Sequence, residues 1–240
     1  MKNILLLGAT GSIGDSALDV ISQNPDSLNL YGMAFHSNID KASDIANKFF
    51  PDYAYLENTN YKKILIEKVN AKTEILSGKD ELHNLLNDPK VDVIISAISG
   101  FSGLETTLMA AKTGKTILLA NKESIVVAGD IILPLAKEFN TKVIPIDSEH
   151  NAIFQCLVGE RAKEDVSKII ITASGGPFVN KSLDELGSVT KEQALKHPNW
   201  EMGSKISIDS ATLVNKCLEL IEAKYLFDLN EKFFKLVVHP

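Results

Sequence analysis

Short apolar runs rich in Ile, Leu and Val alternate with longer stretches of helical period through the first 146 residues. Residues 4–7, 30–35, 91–98, 116–119 and 142–146 read as strands, and residues 12–23, 39–49, 103–113 and 131–139 read as helices between them. Strands that are apolar at nearly every position have both faces covered, which predicts a parallel sheet between helical layers. The alternation predicts an α/β fold with a Rossmann-like, doubly wound parallel sheet. Residues 58–87 are more polar and less regular, as expected of helical excursions at a sheet edge.

The pattern changes after Asp147. Residues 168–172, 205–208 and 235–238 read as strands, residues 174–204 as a polar, loop-rich stretch, and residues 211–227 as one long helix. This predicts an α+β domain over 148–240 following a first domain over 1–147. The sequence stops two residues after its last strand-like run, so further polypeptide is expected to follow in the natural protein, making the second domain truncated. No internal repeat or low-complexity tract interrupts either part.

Composition narrows the function. Hydrophobic residues make up 45% and charged residues 23% of the 240, values of an ordinary folded domain that exclude disorder. Twenty-five Lys and Arg against 31 Asp and Glu give a net charge of −6, which argues against a nucleic-acid partner. No apolar stretch is long enough to span a bilayer, so no membrane partner is expected. The N-terminal apolar run ends at Gly8, too soon for a secretory signal. Cys156 and Cys217 cannot form a disulfide framework and read as small buried residues in a reducing compartment, which predicts a cytoplasmic protein.

Gly8-Ala9-Thr10-Gly11-Ser12-Ile13-Gly14 joins a buried strand to a helix start. Glycines there let the backbone turn tightly and approach a pyrophosphate, whose charge sits on the helix N-terminus. The G-x-x-G-x-x-G spacing is one residue wider than the usual dinucleotide fingerprint, and a plain βα turn is the competing reading. An NAD site usually carries an acid at the end of the second strand. Here that position runs into His36, Ser37 and Asn38, uncharged donors suited to a 2′-phosphate, so NADP is favoured over NAD.

Asp147 and Glu149 follow the last strand of the first domain, at the carboxyl edge where doubly wound sheets bind ligands. On an extended backbone they point the same way, with Cα atoms about 6–7 Å apart. Paired carboxylates with oxygen-only ligation suggest Mg²⁺ or Mn²⁺, while two solvated acids on a turn are the bland alternative. The later helix carries an apolar set, Leu213, Val214, Cys217, Leu218, Leu220 and Ile221, expected to face the core. Asn215, Glu219 and Glu222, at i, i+4 and i+7, form one polar stripe beside Lys216. Such a stripe is ordinarily solvated; the functional reading makes Glu219 a third metal ligand, with Asn215 and Lys216 reaching an anionic substrate.

Ser174-Gly175-Gly176 can turn backbone N–H groups toward an anion, with a plain turn the equal alternative. His197-Pro198-Asn199-Trp200-Glu201-Met202-Gly203 holds the sole Trp; a lone Trp is ordinarily a core or interface anchor, but beside Pro and Gly it suits a flap that excludes water. Asn121-Lys122-Glu123-Ser124 ends another strand, making Lys122 a candidate substrate contact or part of a helix cap.

Taken together, Gly8–Gly14, Leu119-Ala120-Asn121-Lys122-Glu123-Ser124, Pro145-Ile146-Asp147-Ser148-Glu149-His150-Asn151, Ser174-Gly175-Gly176-Pro177-Phe178, His197-Pro198-Asn199-Trp200 and Ile208-Asp209-Ser210-Ala211-Thr212 running on to Glu219 resemble the 1-deoxy-D-xylulose 5-phosphate reductoisomerase family. The resemblance extends along essentially the whole chain. It implies an NADPH- and Mg²⁺- or Mn²⁺-dependent oxidoreductase and isomerase of non-mevalonate isoprenoid biosynthesis. That enzyme rearranges a phosphorylated sugar-like substrate and reduces the resulting aldehyde to 2-C-methyl-D-erythritol 4-phosphate. It also implies a homodimer.

By the resemblance, Gly8, Thr10, Gly11, Ser12 and Ile13 hold the pyrophosphate, and His36, Ser37 and Asn38 meet the 2′-phosphate. Asn121, Glu123 and Gly203 complete the cofactor contacts. Asp147, Glu149 and Glu219 bind the metal. Ser174, Ser210, Asn215 and Lys216 grip the substrate phosphate, helped by His197, while Ser148 and Lys122 contact substrate oxygens. Catalysis falls to Lys122, Ser148, Glu149 and His197; Trp200 and Glu219 also contact the substrate, and Trp200 and Met202 belong to the flap. Glu201 and Ser204 depart from the family pattern in or beside that flap. The alternative from another class is a non-catalytic NADP-binding sensor or interaction protein, which has no need for the three acids to converge.

Overall fold

The computed structural model describes residues 1–157, 164–198 and 203–239, divided between a unit from Met1 to Ile146 and a second from Asp147 to Pro240. Trp200, Glu201 and Met202, and with them the expected flap, lie outside the described residues.

The first unit runs β1 (Lys2–Leu7), α1 (Ser12–Gln23), β2 (Leu28–Phe35), α2 (Ile39–Phe49), β3 (Tyr53–Leu56), α3 (Lys62–Lys68), β4 (Glu74–Leu76), α4 (Lys79–Asn87), β5 (Val93–Ser96), α5 (Leu104–Ala110), β6 (Thr116–Leu119), α6 (Lys122–Glu138) and β7 (Lys142–Pro145). Its strands form one sheet in the order β4-β3-β2-β1-β5-β6-β7, and every pairing is parallel. Leu5, Leu6 and Leu7 are wholly buried although they point to alternate faces, so helices cover both sides of the central strand. The expected α/β sheet is therefore present. It also contains β3 and β4, which the apolar pattern had not marked.

Sheet order reverses between β1 and β5, the switch point at which doubly wound sheets open a ligand crevice beyond their carboxyl ends. Gly8 leaves β1 there with φ +88°, and a Cβ on it would lie 2.5 Å from the Ala97 carbonyl oxygen. Only glycine permits both that backbone conformation and that approach.

The second unit consists of α7 (Ser148–Cys156), β8 (Ile169–Ala173), α8 (Leu183–Leu186), α9 (Lys191–Ala194), α10 (Ser204–Ala211), α11 (Val214–Phe227) and β9 (Phe234–Val238). Strands β8 and β9 pair in parallel as a two-stranded sheet. Ile153, Ile169, Ile171, Ala223, Phe227 and Leu229 pack into its core.

Several expectations need correction here. Residues 205–208 form no strand: Ile206 and Ile208 alternate as in one, but the segment lies inside α10, where Lys205 and Asp209 pair across one helical turn at 2.6 Å. The helix expected over 211–227 is present as α11 but starts only at Val214, because Leu213 takes a left-handed φ of 61° and Ala211 ends α10. Within the loop-rich stretch, α8 and α9 are each set by a capping box, Ser182 with Glu185 and Thr190 with Gln193. Asp147 and Glu149 do not share a strand, because α7 begins between them.

Helix α11 buries only part of its apolar set: Leu218 and Leu220 are half-buried, and Leu220 packs on the core. Leu213, Val214, Cys217 and Ile221 are exposed, whereas Lys216, Glu219 and Glu222 are buried. Cys156 is exposed too, so neither cysteine is the buried residue the composition suggested. Among the described residues, no helix is long and apolar enough to cross a membrane.

Candidate active site

A charged helix face is buried only where partners replace its water, and α7 supplies them. Asp147 is the N-cap residue of α7, yet its carboxylate does not cap the helix; Oδ2 lies 3.9 Å from His150 Nδ1 instead. Ser148 and Glu149 open the first turn. Glu219 faces them from α11, and Asp147, Glu149 and Glu219 bring one carboxylate oxygen each to within 4.8 Å of one another.

Lys216 sits among these acids. Its Nζ donates to Glu149 Oε1 at 2.7 Å and to Glu219 Oε2 at 2.5 Å. Ser148 Oγ donates to the other Glu149 oxygen at 2.6 Å, and Asn215 Nδ2 to the other Glu219 oxygen at 2.5 Å. Burial alone would raise the Glu149 pKa. The hydrogen bonds from Lys216 and Ser148, with the ammonium's charge, outweigh burial and hold the carboxyl below the usual carboxylate range.

The donor set fits a hard divalent cation. All three candidate ligands are carboxylates, as Mg²⁺ or Mn²⁺ prefers, and the cluster already surrounds a positive group in the form of the Lys216 ammonium.

Sequence reasoning assigned no role to the layer behind this cluster. His150 is fully buried, with Nε2 2.8 Å from the Glu219 backbone carbonyl and Nδ1 3.2 Å from Glu222 Oε2. It ties α7 to α11 directly behind two of the acids, as outer-layer partners do at metal sites. The signal was present: His150 follows Asp147 by one helical turn, and Glu222 follows Glu219 likewise.

The remaining substrate candidates gather around the loop after β8. Ser174 Oγ lies 3.0 Å from His197 Nε2 and accepts from the Gly176 N–H at 3.3 Å. Gly176 has φ +69°, and a Cβ on it would lie 2.7 Å from the Ser210 carbonyl oxygen, so this loop packs directly on the end of α10. Ser174, His197 and Ser210 are thus brought to one place, while Asn215 and Lys216 are drawn onto Glu219. Gly203 is the N-cap residue of α10 and is exposed.

In the first unit, Thr10 is half-buried, and Gly11, Ser12 and Ile13 are exposed at the start of α1. No side chain caps that helix, so its first N–H groups face the switch-point crevice in the manner of an anion site. His36 Nδ1 lies 3.1 Å from Ser37 Oγ. Asn38 is committed to capping α2 through the Lys41 N–H.

Asn121 has structural work of its own. Its carbonyl oxygen caps α6 at Ser124 N, and its amide donates to Ile98 O at 2.5 Å and Gly100 O at 2.8 Å. Lys122 and Glu123 form the first turn of α6, and Lys122 is buried.

Comparison with known proteins follows the same division. The family model for 1-deoxy-D-xylulose 5-phosphate reductoisomerase matches residues 4–129, and the model for that enzyme's C-terminal domain matches residues 143–227. The reductoisomerase of Clostridium tetani is 48% identical over 243 residues, and that of Vesicomyosocius okutanii is 45% identical over 240. All of this chain is matched, but only 63% and 62% of those two proteins, so the chain spans less than two thirds of their length. Among solved structures, a DOX-P reductoisomerase in complex with NADPH, fosmidomycin and magnesium superposes with TM-score 0.93 at 43% identity, covering 100% of this chain and 62% of that one. The Zymomonas mobilis reductoisomerase in complex with NADPH gives 0.89 at 41% identity, over 98% and 61% of the two chains.

Proposed function

The chain belongs to the 1-deoxy-D-xylulose 5-phosphate reductoisomerase family, and we propose that it carries the cofactor, metal and substrate sites of an NADPH-dependent conversion of 1-deoxy-D-xylulose 5-phosphate to 2-C-methyl-D-erythritol 4-phosphate. The observation that carries this reading is the meeting of Asp147, Glu149 and Glu219 within 4.8 Å, with the buried Lys216 ammonium on the two glutamates.

In this reading the first unit takes NADPH. The uncapped N-terminus of α1 receives the pyrophosphate at Gly8, Thr10, Gly11, Ser12 and Ile13. His36 and Ser37 meet the 2′-phosphate, with Asn38 contributing alongside its capping bond. Asn121, Glu123 and Gly203 add cofactor contacts.

The second unit takes Mg²⁺ or Mn²⁺ at Asp147, Glu149 and Glu219. When bound, the divalent ion supplies Lewis acidity at the substrate's oxygens and NADPH supplies the hydride. The protein's own part is orientation. Ser174, Ser210, Asn215, Lys216 and His197 grip the phosphate, a remote group whose binding helps to align the reacting carbons. Ser148 and Lys122 hold substrate oxygens, and Trp200 and Met202 exclude water.

Two exposed, unbridged cysteines suit a reducing cytoplasm. Ile170, Leu236 and Val238, exposed on the β8–β9 sheet, offer apolar surface that a second subunit would cover in a homodimer.

NADPH oxidation with 1-deoxy-D-xylulose 5-phosphate, with and without Mg²⁺ or Mn²⁺, tests the reading. Glu149→Gln should lower metal-dependent turnover by at least 100-fold and weaken Mn²⁺ binding in calorimetry, with NADPH affinity unchanged. A sensor that performs no chemistry would bind NADPH and show no metal-dependent oxidation in either protein.

A further inference from the structure

Each carboxylate oxygen of Glu149 and Glu219 receives a hydrogen bond from a donor of this chain. Ser148 and Lys216 engage the two oxygens of Glu149, and Asn215 and Lys216 the two of Glu219. These donors are the same side chains assigned to the substrate. In this state, metal ligands and substrate ligands are therefore satisfied by each other.

Lys216 is the decisive member of the set. Its Nζ lies 2.7 and 2.5 Å from two of the three acids, and its side chain is only 9% exposed. A divalent ion at about 2.0–2.1 Å from these two oxygens would lie close to the ammonium seated between them, and repulsion between the two positive charges favours one occupant over both. Once displaced, the ammonium leaves a buried position without its counter-charges and requires another anion.

We propose that Lys216 is an internal counter-ion which guards the Glu149–Glu219 pair, so that a divalent cation and the substrate's phosphate bind as a coupled pair. The cation takes the carboxylates and releases Lys216, together with Asn215 and Ser148, toward the anion. The anion draws Lys216 away and opens the carboxylates to the cation. By linkage, each ligand strengthens the other by the same factor. This rests on the metal-site reading above.

The test is calorimetric titration of Mn²⁺ into the full chain and into its K216M and K216Q variants, with and without inorganic phosphate. K216Q keeps an amide donor for one carboxylate and covers the case in which K216M does not fold. Without phosphate, the variants should bind Mn²⁺ at least 10-fold tighter than wild type. Saturating phosphate should tighten wild-type Mn²⁺ binding several-fold, and that gain should disappear in the variants.

Equal or weaker Mn²⁺ binding by the variants overturns the proposal. So does an equal phosphate gain in all three proteins, since phosphate would then act on the metal without Lys216. A Glu149→Gln titration separates this failure from a deeper one. If Glu149→Gln loses Mn²⁺ while Lys216 has no effect, only the counter-ion role falls; if Glu149→Gln binds Mn²⁺ as wild type does, the metal site falls with it.

Discussion

Gly14→Ala tests whether the start of α1 is held by the close approach seen in the structure. A Cβ at Gly14 would lie 2.4 Å from the Ala9 carbonyl oxygen and 2.7 Å from that of Gly8. Restoring an ordinary contact of about 3.4 Å requires about 1.0 Å of movement (3.4 − 2.4). The loop cannot supply it, because Gly8 N and Ala9 N both bond to Ala34 O, at 2.9 and 3.0 Å, and Gly11 N bonds to Gly8 O at 3.0 Å.

The helix must therefore move. Overpacking of this kind costs about 1–3 kcal/mol, and a shift of that size pulls the helix N–H groups out of hydrogen-bond range of a pyrophosphate. NADPH affinity should fall by at least about 10-fold, which corresponds to about 1.4 kcal/mol. Gly11→Ala is the matched control, since its nearest contact is 3.4 Å and its φ is −88°. Its folding stability should stay within about 0.5 kcal/mol of wild type, the lost glycine entropy offsetting a poorer N-cap. Urea unfolding followed by far-ultraviolet circular dichroism and NADPH titration by its fluorescence read the two effects. A Gly14→Ala protein with wild-type midpoint and affinity, or one no less stable than Gly11→Ala, would refute the argument.

Two further substitutions probe one unit each. Tyr31 donates to Asp88 at 2.6 Å; burial and then this bond to a carboxylate push the tyrosine pKa far up. Burial would raise the Asp88 pKa, but the Tyr31 hydroxyl, the Lys90 N–H and the nearby lysine charges outweigh it and hold the carboxyl low. The folded pKa of Asp88 lies below its unfolded value, so its contribution is present above about pH 3.9 and lost as pH falls through the folded value. Tyr31→Phe should cost about 1–2 kcal/mol at pH 7, with the gap to wild type narrowing below about pH 3.9 in urea titrations. In the second unit, Gly176→Ala adds a Cβ 2.7 Å from Ser210 O at a φ of +69°. It should raise the Michaelis constant for the phosphorylated substrate about 10-fold, or about 1.4 kcal/mol, and leave NADPH affinity alone; equal losses for both ligands would contradict the role given to Ser210.

What could be read from the sequence depended on how local the signal was. β1 and the start of α1 were legible because an apolar run, a glycine turn and a helical period follow one another directly. β3 and β4, four and three residues long, are too short to show a period and are strands because β2 gives β3 an edge to pair with and β3 gives one to β4. Residues 205–208 carry strand-like alternation that the Lys205–Asp209 turn overrides. The burial of Lys216, Glu219 and Glu222 could not be read from α11 alone, since the groups that make it tolerable, Glu149 and His150, are supplied by α7 some 67 and 69 residues away. Asp147 and Glu149 were chosen correctly as neighbours in space but on the wrong backbone, because the helix that starts between them has only Asp147 and a weak apolar period to announce it.

The parallel ladder of β8 and β9 governs how the second unit can be assembled. Ile169 stands opposite Phe234, so the first rung joins positions 65 apart (234 − 169), and parallel strands have no hairpin to bring their ends together. Ser174, His197, Ser210, Lys216 and Glu219 all lie within that closed segment, whereas Asp147 and Glu149 lie ahead of it. A growing chain thus presents two of its acids long before it can present the third or any anion ligand. The ladder is a nonlocal closure and correspondingly slow to form.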